Sequence, residues 1–507
     1  MMAAKKMRQE LLFNELLAGI VDLAVEPDFV VTGLCLDSRK LQAGDVFLAC
    51  AGQTVHGLDY VNEVIKQGAR AVLWETTTEL DTIPLSWRES PDGLPIPLVA
   101  VAELSSMVGV LADRFFGHPS TAMFVSGFTG TNGKTSCSQY LAQILNMDAP
   151  CGVIGTIGAG LYSALNTSTH TTPDALSCHA LMADMLAQGA KSAVLEVSSH
   201  ALQQGRVNGI AFDCAVFTNL SRDHLDYHGD MQSYAAAKAS LFRFAGLQHA
   251  VINRDDEFGR ELIQAIPAKV KVFSYGFDTS HGRPDIFGER LTLTDKGLNF
   301  HVQTPWGAGE VNAQLLGRFN ASNLLAVLGV LLVHGMPLAT ALQRLATVKA
   351  VAGRMECFRQ AGQPLVVVDY AHTPDALEQV LLALRAHCRG RLWCVFGCGG
   401  DRDQGKRPLM GGIAERLADE TILTNDNPRS EPPATIIEQI LDGCKERQSC
   451  TIIEDRAQAI ATAIRSAAAE DIVLVAGKGH EDYQLIGGQR LSFSDTLEVR
   501  KNLGLAS

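Results

Sequence analysis

The sequence lacks the features that mark membrane-spanning, secreted and nucleic-acid-binding proteins. No apolar run among its 507 residues is long enough to span a bilayer. Its twelve cysteines show no metal-ligand spacing, so we expect buried thiols in a reducing cytosol. The formal net charge of −12 argues against a general binder of nucleic acid or anionic membranes. It does not exclude an anionic substrate, because glycine, lysine and arginine sites can hold one locally.

The N-terminus also lacks a long apolar run before its first acidic residue. We therefore expect an amphipathic helix there and not a signal peptide, and a cytoplasmic protein without membrane insertion. An Asn-Lys-x-Asp run, which would indicate guanine recognition, is missing as well. The apolar content of 47% instead predicts well-buried globular domains, and the length predicts two to four of them.

Residues 123–140 carry the strongest pattern, a strand followed by a glycine turn and a helix start. Residues 123–126 are mostly apolar and predict a buried parallel strand, and three glycines follow within residues 127–133. Glycines let backbone N–H groups surround phosphate oxygens, and a helix N-terminus adds partial positive charge. The pattern places Lys134 on the outer phosphates and the Thr135 hydroxyl on Mg²⁺.

This phosphate loop departs from the common spacing. Five residues separate Gly127 from Gly133, whereas the usual loop has four residues between its first glycine and the Gly-Lys pair. The alternative interpretation is a tight strand-to-helix turn without a ligand. The Gly-Lys-Thr order in a strand-to-helix context favours the phosphate loop.

Two further strand ends carry polar residues. Glu196 lies near the end of a predicted strand over residues 191–197 and suits a Mg²⁺ ligand, with an ion-paired or capping role as the alternative. Asp223 and His224 follow a predicted strand over residues 214–217. They could bind metal or orient a nucleophile, or belong to an ordinary polar loop. Lys238 lies in an alanine-rich helix and, from residue type alone, is an ordinary helical lysine.

The pattern of elements predicts an α/β protein of three domains. Residues 1–101 predict a small α/β domain, with a surface excursion over residues 76–97. Residues 102–350 hold the phosphate loop and a series of βα units around a parallel sheet. Residues 351–507 predict a Rossmann-like, doubly wound and mostly parallel sheet. Polar clusters follow its strands and predict a binding face: Asp369-Tyr370-Ala371-His372, Gly397-Cys398-Gly399-Gly400-Asp401-Arg402-Asp403, Asp426-Asn427-Pro428-Arg429 and Gly477-Lys478-Gly479-His480-Glu481.

Several unrelated short motifs, in one order along nearly the whole chain, resemble the Mur ligases, the ATP-dependent amide-bond ligases of bacterial peptidoglycan synthesis. The first polar cluster just named, from Asp369 to His372, belongs to this general resemblance, and the last three resemble those of the member that adds the third residue to UDP-N-acetylmuramoyl-L-alanyl-D-glutamate. The earlier motifs are Gly130-Thr131-Asn132-Gly133-Lys134-Thr135, Glu196-Val197-Ser198-Ser199-His200, Thr218-Asn219-Leu220 with Asp223-His224, Asn320-Ala321-Ser322-Asn323 and Gly353-Arg354-Met355-Glu356.

The resemblance implies the roles of the three domains and the reaction. The domains would bind the UDP sugar (1–101), ATP (102–350) and the incoming amino acid (351–507). The D-glutamate γ-carboxylate would take the γ-phosphoryl group of ATP, and the amine of the incoming amino acid would then displace phosphate. A carboxylate is a poor acyl donor, and phosphorylation gives it a leaving group. We expect a monomer.

The resemblance also implies site residues. Those implied for the nucleotide are Gly130, Thr131, Asn132, Gly133, Lys134, Thr135, Asn320, Arg354 and Asp369. Those implied for Mg²⁺ are Thr135, Glu196, His224 and Lys238, with Lys238 carbamylated by CO₂; Lys134, Lys238, His224 and Glu196 form the catalytic set. Those implied for the UDP group are Leu36, Ser38, Gln53, Thr54 and Val55. Those implied for the muramoyl-dipeptide are His170, where the family has asparagine, and Thr171, Thr172, Ser198, Gln204 and Arg206.

The implied amino-acid pocket consists of Arg402, Asp426, Asn427, Pro428, Arg429, Gly477 and Glu481. Meso-2,6-diaminopimelate resembles lysine with an additional carboxylate at its far end. A guanidinium binds a carboxylate through two parallel hydrogen bonds, so Arg429 favours diaminopimelate, and Glu481 would face an ammonium group. The lysine-adding ligase of the same family is the alternative. A P-loop switch that only hydrolyses nucleotide and a non-catalytic nucleotide-binding scaffold are alternatives of other classes.

Overall fold

The structure is a computed structural model that describes residues 10–52, 54–76, 84–167, 170–294 and 296–506, without the side chain of Asp226. The chain divides into two compact units. The first comprises residues 1–275 and 329–335, and the second comprises residues 276–328 and 336–507. In the described part of the chain, no helix is long and apolar enough to cross a membrane. The division into three domains, with its two boundaries, remains a prediction.

The first unit begins with a small five-stranded sheet. Its helices are α1 (Phe13–Leu17), α2 (Val61–Lys66) and α3 (Leu104–Phe115), and its strands are β1 (Gly33–Cys35), β2 (Asp45–Ala49), β3 (Ala71–Thr76), β4 (Leu85–Glu89) and β5 (Pro95–Ala102). The strand order is β1-β2-β3-β5-β4, and only β4 runs antiparallel to its neighbour.

The predicted surface excursion over residues 76–97 is wrong. Strand β4 lies within it and β5 begins in it, and β5 pairs in parallel with β3 and buries Ile96, Leu98 and Val99. The prolines at 95 and 97 indicated a loop, but both precede Leu98, where the pairing of β5 with β3 begins, so this start of β5 pairs with β4 alone. Prolines are tolerated at strand starts and edges, where fewer backbone donors are needed.

The larger part of the first unit surrounds the phosphate loop. In chain order its elements are β6 (Phe124–Thr129), α4 (Lys134–Leu145), β7 (Cys151–Ile154), β8 (Ala159–Leu161), β9 (Ala164–Asn166), α5 (Ala175–Ala187), β10 (Ser192–Glu196), α6 (Ser199–Gln203), β11 (Cys214–Phe217), α7 (Leu225–His228), α8 (Met231–Ala239), β12 (His249–Asn253), α9 (Glu257–Ala265) and β13 (Lys271–Gly276). The strands lie in the order β13-β12-β11-β6-β10-β7-β8-β9. The run from β13 to β7 is parallel, so the ends of these strands meet at one edge.

The second unit has an antiparallel part and a parallel part. The antiparallel strands are β14 (Ile286–Thr294), β15 (Gly297–Thr304) and β16 (Gly307–Ala313), followed along the chain by α10 (Arg318–Val333) and α11 (Leu338–Leu345). The remaining elements are β17 (Glu356–Phe358), β18 (Leu365–Asp369), α12 (Pro374–Arg385), β19 (Leu392–Phe396), α13 (Lys406–Leu417), β20 (Glu420–Leu423), α14 (Pro433–Leu441), β21 (Cys450–Ile452), α15 (Arg456–Ser466), β22 (Ile472–Ala476), β23 (Tyr483–Ile486), β24 (Gln489–Ser492) and α16 (Asp495–Leu503).

The predicted doubly wound sheet is confirmed. Its order is β17-β18-β22-β19-β20-β21, and every pair except β17 with β18 is parallel. Apolar residues of α12, α13 and α14 pack in one core cluster, and those of α15 and α16 pack in another. Helices cover both faces, so the strand ends are the open edge on which a ligand crevice forms.

A buried ion pair fastens α16 to this edge. Arg456 and Asp495 have fully buried side chains and form two hydrogen bonds, Nε to Oδ1 at 2.6 Å and Nη2 to Oδ2 at 2.7 Å. The same guanidinium donates to the carbonyl oxygens of Ala476 at 2.9 Å and Asn425 at 3.3 Å. The pair therefore holds the backbone at the ends of two strands.

We expect Asp495→Asn to lower the free energy of unfolding by about 3 kcal/mol, because a buried guanidinium without its counter-charge is strongly destabilising. Urea denaturation measures the change. The matched control is Asp482→Asn, whose pair with Arg490 is mostly exposed and is expected to contribute less than about 1 kcal/mol. Equal losses in the two variants would contradict the prediction.

Candidate active site

The phosphate loop occupies residues 130–133, between β6 and α4. Gly130 has φ +148°, and a Cβ atom there would lie 1.9 Å from Thr218 Oγ1. The backbone thus passes the end of β11 too closely for any side chain. Gly133 precedes α4 with φ +86°, and it is followed by the first helical turn, whose N–H groups have no carbonyl partner within the helix.

Gly127 is not part of the loop, which corrects the role the sequence pattern gave it. It lies inside β6, between Leu195 of β10 and Ala215 of β11. A Cβ atom there would lie 2.8 Å from the ring of Phe212, so its small size serves packing. This explains the unusual spacing, because the turn itself begins only at Gly130.

The loop is held in shape by the residues that follow β11. Thr131 N donates to the Asn219 carbonyl at 2.8 Å, and Asn132 N donates to Asn219 Oδ1 at 2.9 Å. The Thr218 hydroxyl donates to the Asn132 carbonyl at 2.6 Å. The sequence pattern marked Thr218 and Asn219 as a motif without giving them a role. Their contacts fix the loop backbone, and fixed N–H groups bind an anion without reorganisation.

Two lysines meet at one carbonyl oxygen of this loop. Lys134 Nζ donates to the carbonyls of Gly130 at 2.7 Å and Thr131 at 2.9 Å. Lys238 Nζ donates to the same Gly130 carbonyl at 2.9 Å and lies 4.3 Å from the Tyr234 ring centroid. The interpretation of Lys238 as an ordinary helical lysine is wrong, since it is 1% exposed.

The surroundings of Lys238 favour its neutral form. Burial holds the pKa of its amine well below the usual range, and the charge of Lys134 lowers it further, against a smaller opposing effect of Asp223. A neutral amine is a nucleophile, and an ammonium is not. The site thus holds a buried amine with a lowered pKa beside the phosphate loop.

Glu196 lies at the end of β10 with a fully buried side chain. The Thr135 hydroxyl donates to its Oε2 at 2.7 Å, so the predicted pair of Mg²⁺ ligands is in contact. Thr156 donates to both carboxylate oxygens, from N at 2.9 Å and from Oγ1 at 3.0 Å. The sequence pattern did not single out Thr156. Its position just after β7, which neighbours β10, is the signal that would have found it.

His224, another of the implied Mg²⁺ ligands, directly precedes α7. It has φ +53°, its Nε2 is 3.3 Å from Asp223 Oδ2, and its ring centroid is 4.9 Å from that of His200 and 6.1 Å from that of Tyr234. Among the described residues, no three His, Cys, Asp or Glu side chains form a metal cluster. Thr135 and Glu196 still fit Mg²⁺, which takes few protein ligands and the rest from phosphates and water.

Most residues implied for the muramoyl-dipeptide form one network next to Glu196. The Thr172 hydroxyl donates to the Glu196 carbonyl at 2.7 Å, and Arg206 Nη1 donates to the Thr172 carbonyl at 2.9 Å. The remaining contacts are Ser198 N to Thr172 Oγ1 (3.3 Å), Arg206 Nε to Gln204 Oε1 (2.8 Å) and Thr171 Oγ1 with Thr156 Oγ1 (3.0 Å). His170 is exposed at the start of this segment.

The residues implied for the UDP group lie in the small sheet. Ser38 is buried at the start of a short 3-10 turn, Ser38–Lys40, and Leu36 just before it is partly buried. Thr54 and Val55 are exposed, and the Val55 carbonyl accepts a hydrogen bond from Gly52 N at 3.0 Å. Gln53 lies outside the described residues.

Three of the predicted nucleotide residues lie in the second unit, and two of them, Asp369 and Asn320, are buried. Asp369, at the end of β18, accepts hydrogen bonds from the N–H groups of Met355 and Ala371, both at 2.8 Å. Burial raises the pKa of its carboxyl group, and the Arg354 charge partly opposes this. The Arg354 guanidinium lies 4.6 Å from the centroid of the Tyr370 ring. Asn320 is buried at the start of α10 and donates to the Leu316 carbonyl at 2.9 Å.

The ends of β20 and β22 bring the acidic side of the predicted amino-acid pocket together. A Cβ atom on Gly477 would lie 2.5 Å from Asp426 Oδ2. Asn427 Nδ2 donates to Glu481 Oε2 at 2.9 Å, and the buried Lys478 donates to the same oxygen at 3.0 Å. Glu481 is therefore a fixed acceptor at this edge.

The basic side of the pocket forms around Gly399, beyond β19. A Cβ atom on Gly399 would lie 2.9 Å from Arg429 Nη1 and 3.8 Å from Arg402 Cγ, so both arginines approach it. Arg429 Nη1 also donates to the Gly400 carbonyl at 2.7 Å. The Arg429 backbone exchanges hydrogen bonds with Leu485 and Gly487, and the adjoining Pro428 is buried.

Three family models match the chain. "Mur ligase middle domain" matches residues 128–331, "Mur ligase, glutamate ligase domain" matches residues 353–479, and "Mur ligase family, catalytic domain" matches residues 30–115. Together they include the phosphate loop, Glu196, Lys238 and the predicted pocket residues from Arg402 to Gly477.

Curated relatives are similar over almost the whole chain. Proteins named UDP-N-acetylmuramoyl-L-alanyl-D-glutamate–2,6-diaminopimelate ligase are 48% identical in Alkalilimnicola ehrlichii (96% of this chain, 98% of the relative) and 46% identical in Coxiella burnetii (95% and 97%). A solved structure of a ligase of that name is 36% identical, covers 98% of this chain and 99% of its own, and has a TM-score of 0.72. A Thermotoga maritima MurF structure is 19% identical with a TM-score of 0.61, covers 93% of this chain and 97% of its own, and supports the fold alone.

Proposed function

Because the chain belongs to the Mur ligase family, we propose that it joins meso-2,6-diaminopimelate to the D-glutamate γ-carboxyl group of UDP-N-acetylmuramoyl-L-alanyl-D-glutamate with consumption of ATP. One observation carries this proposal: Arg402 and Arg429 both approach Gly399 at the strand edge that also carries Glu481. Relatives bearing the name of that reaction support it. The proposed location is the cytoplasm, where twelve free thiols are expected to persist.

The first step activates the carboxyl group. The D-glutamate γ-carboxylate attacks the γ-phosphorus of ATP, the bond to the β,γ-bridging oxygen breaks, and ADP leaves an acyl phosphate behind. Lys134, whose Nζ donates to the Gly130 carbonyl, and the N–H groups of the loop would stabilise the charge on the transferring phosphoryl group. Thr135 and Glu196 would hold Mg²⁺, which neutralises further phosphate charge when bound.

The second step forms the amide. A neutral amine of the amino acid attacks the acyl carbon, the bond to the phosphate oxygen breaks, and hydrogen phosphate leaves with the amine proton. The pocket binds and orients the amino acid: Arg402 and Arg429 would hold the distal carboxylate, and Glu481 would accept from the distal ammonium. Positioning of this kind raises the effective concentration of the amine at the acyl carbon.

Lys238 is proposed to carry a carbamate. Its neutral amine would add to CO₂ with loss of one proton, which converts a buried nitrogen donor into an anionic oxygen donor. The burial of Lys238 and the low pKa of its amine support this. Thr135 and Glu196 would supply only part of the oxygen ligands of Mg²⁺, and the carbamate would supply a further one.

We expect removal of CO₂ and bicarbonate from the buffer to lower the ligation rate at least about tenfold, and added bicarbonate to restore it, because the metal would lose an anionic ligand. The rate of ADP release measures the effect. In Lys238→Ala we expect low activity that no longer responds to bicarbonate but rises with acetate, a small free carboxylate. A bicarbonate response retained in Lys238→Ala would contradict the proposal.

The deciding experiment for the function measures ADP release and product mass with the UDP-linked dipeptide, ATP and either diaminopimelate or lysine. We expect turnover with diaminopimelate and little with lysine. Equal or better turnover with lysine would identify the lysine-adding ligase. ATP hydrolysis without dipeptide or amino acid would identify a nucleotide-driven switch.

A further inference from the structure

We infer that Arg407 and Glu431 determine selectivity for the second carboxylate of the incoming amino acid by fixing the separation of Arg402 and Arg429. This inference rests on the proposed function. Arg407 and Glu431 act as positioning residues, because they contact the two pocket loops and not the ligand. With Asp401 and Ser430 they form a set of contacts that we call the cross-loop clamp.

The centre of the clamp is a buried guanidinium that contacts both loops. Arg407, on α13, has a fully buried side chain and binds Glu431 through Nη1 to Oε2 at 2.8 Å and Nη2 to Oε1 at 2.9 Å. Its Nη2 also donates to the Gly399 carbonyl at 3.0 Å. Gly399 belongs to the loop after β19 and Glu431 to the loop after β20, so this one side chain joins the two loops.

Further contacts fasten the loops next to each arginine. Asp401 N donates to Glu431 Oε1 at 2.5 Å, and the Ser430 hydroxyl donates to Asp401 Oδ1 at 2.6 Å. Asp401 directly precedes Arg402, and Ser430 directly follows Arg429. The clamp therefore contacts the backbone immediately beside both guanidinium-bearing residues.

The backbone beside the pocket needs such support. Asp401 has φ +52° and Arg429 has φ +54°, a left-handed conformation that is strained for residues other than glycine. Residues keep this conformation only where their surroundings hold them in it. On one loop the hydrogen bonds of the clamp involve Asp401 itself. On the other loop they involve Ser430 and Glu431, which lie one and two residues after Arg429.

The chemistry of Glu431 agrees with this role. The hydrogen bonds from Arg407 and Asp401 hold the pKa of the Glu431 carboxyl group at about 2, so it is ionised at any physiological pH. A buried ion pair contributes little net stability, because desolvation offsets the attraction. The ion pair instead fixes the geometry of the two loops. This matters because two-point binding of a carboxylate is sensitive to displacements of about 1 Å.

The test is the Glu431→Gln variant, with KM values for diaminopimelate, ATP and the UDP-linked dipeptide measured by ADP release. We expect KM for diaminopimelate to rise about tenfold while the other two KM values stay within about twofold. The ratio of kcat/KM for diaminopimelate to that for lysine should fall about tenfold, because lysine has no distal carboxylate to lose. A purely structural role would lower turnover for both amino acids alike.

The control is Glu438→Gln on α14, whose pair with Arg447 is half exposed and outside the clamp. Arg407→Lys keeps the charge but loses the two-point contact, and Ser430→Ala removes one hydrogen bond. Both should shift the same ratio, Ser430→Ala by less, which covers the case in which Glu431→Gln does not fold. An unchanged ratio in the folded variants would overturn the inference. Absence of ligation by the unmodified protein with either amino acid would instead refute the proposed function.

Discussion

Replacement of Lys134 by alanine should lower kcat for ligation about 1000-fold, the largest effect we expect on the first chemical step. Loss of one preorganised donor to a developing charge costs about 100- to 1000-fold in comparable sites, and Lys134 also carries a full charge. The Lys134 Nζ atom is held at the loop by hydrogen bonds to the Gly130 and Thr131 carbonyls. We expect no other side chain of the loop to supply a charge at this position. The KM for diaminopimelate should change little.

The measurement is ADP release under saturating substrates, with product mass as a second readout. The control is Lys269→Ala, which removes an exposed lysine of the same unit and should leave kcat unchanged. Lys134→Ala should also raise the pKa of Lys238, because the charge of Lys134 lowers it. Ligation at more than a tenth of the normal rate would show that another group stabilises the transferring phosphoryl group.

Replacement of Arg429 by alanine should lower kcat/KM for diaminopimelate about 1000-fold, equivalent to about 4 kcal/mol. Truncation of one partner of a desolvated charge pair costs about 2 to 5 kcal/mol, since the other charge is left unpaired. Arg429→Lys keeps the charge without the planar fork and should lose about 100-fold. The small kcat/KM for lysine should stay within about threefold in both variants.

These values come from ADP release at varied amino-acid concentration. Arg465→Ala, which removes an exposed arginine of α15, is the matched control. KM for ATP should not change in any of the three variants. If Arg429→Ala lost activity with lysine and diaminopimelate in equal proportion, the arginine would serve folding or general binding and would not select the distal carboxylate.

Local order along the chain predicted much of the fold. The strand, glycine turn and helix of the phosphate loop, the α/β class and the mostly parallel C-terminal sheet are confirmed. Each is indicated by a run of apolar residues followed by polar residues where the strand ends. This pattern can be recognised in the local sequence, without knowledge of which strands lie side by side. The failure over residues 76–97 has the same origin: local proline signals outweighed the apolar run of β5.

Contacts between distant residues could not be predicted in this way. The meeting of Lys238 with the Gly130 carbonyl joins residues 108 positions apart, and no helical periodicity distinguishes a buried lysine from an exposed one. Thr156 acts on Glu196 from 40 positions away, and Arg407 reaches Glu431 across 24. These roles exist only because the sheet order places particular strand ends side by side.

The sequence by itself determined where the glycine turn and the carboxylate and guanidinium groups occur and which elements carry them, because helix and strand formation depend on neighbouring residues. Tertiary structure alone decided which lysine is buried with a lowered pKa, which glycine packs inside a strand and which lies in the turn before the helix, and which ion pair joins the loops that carry Arg402 and Arg429. Burial and electrostatic interaction act through space, so their consequences for pKa and geometry follow only from the packed chain.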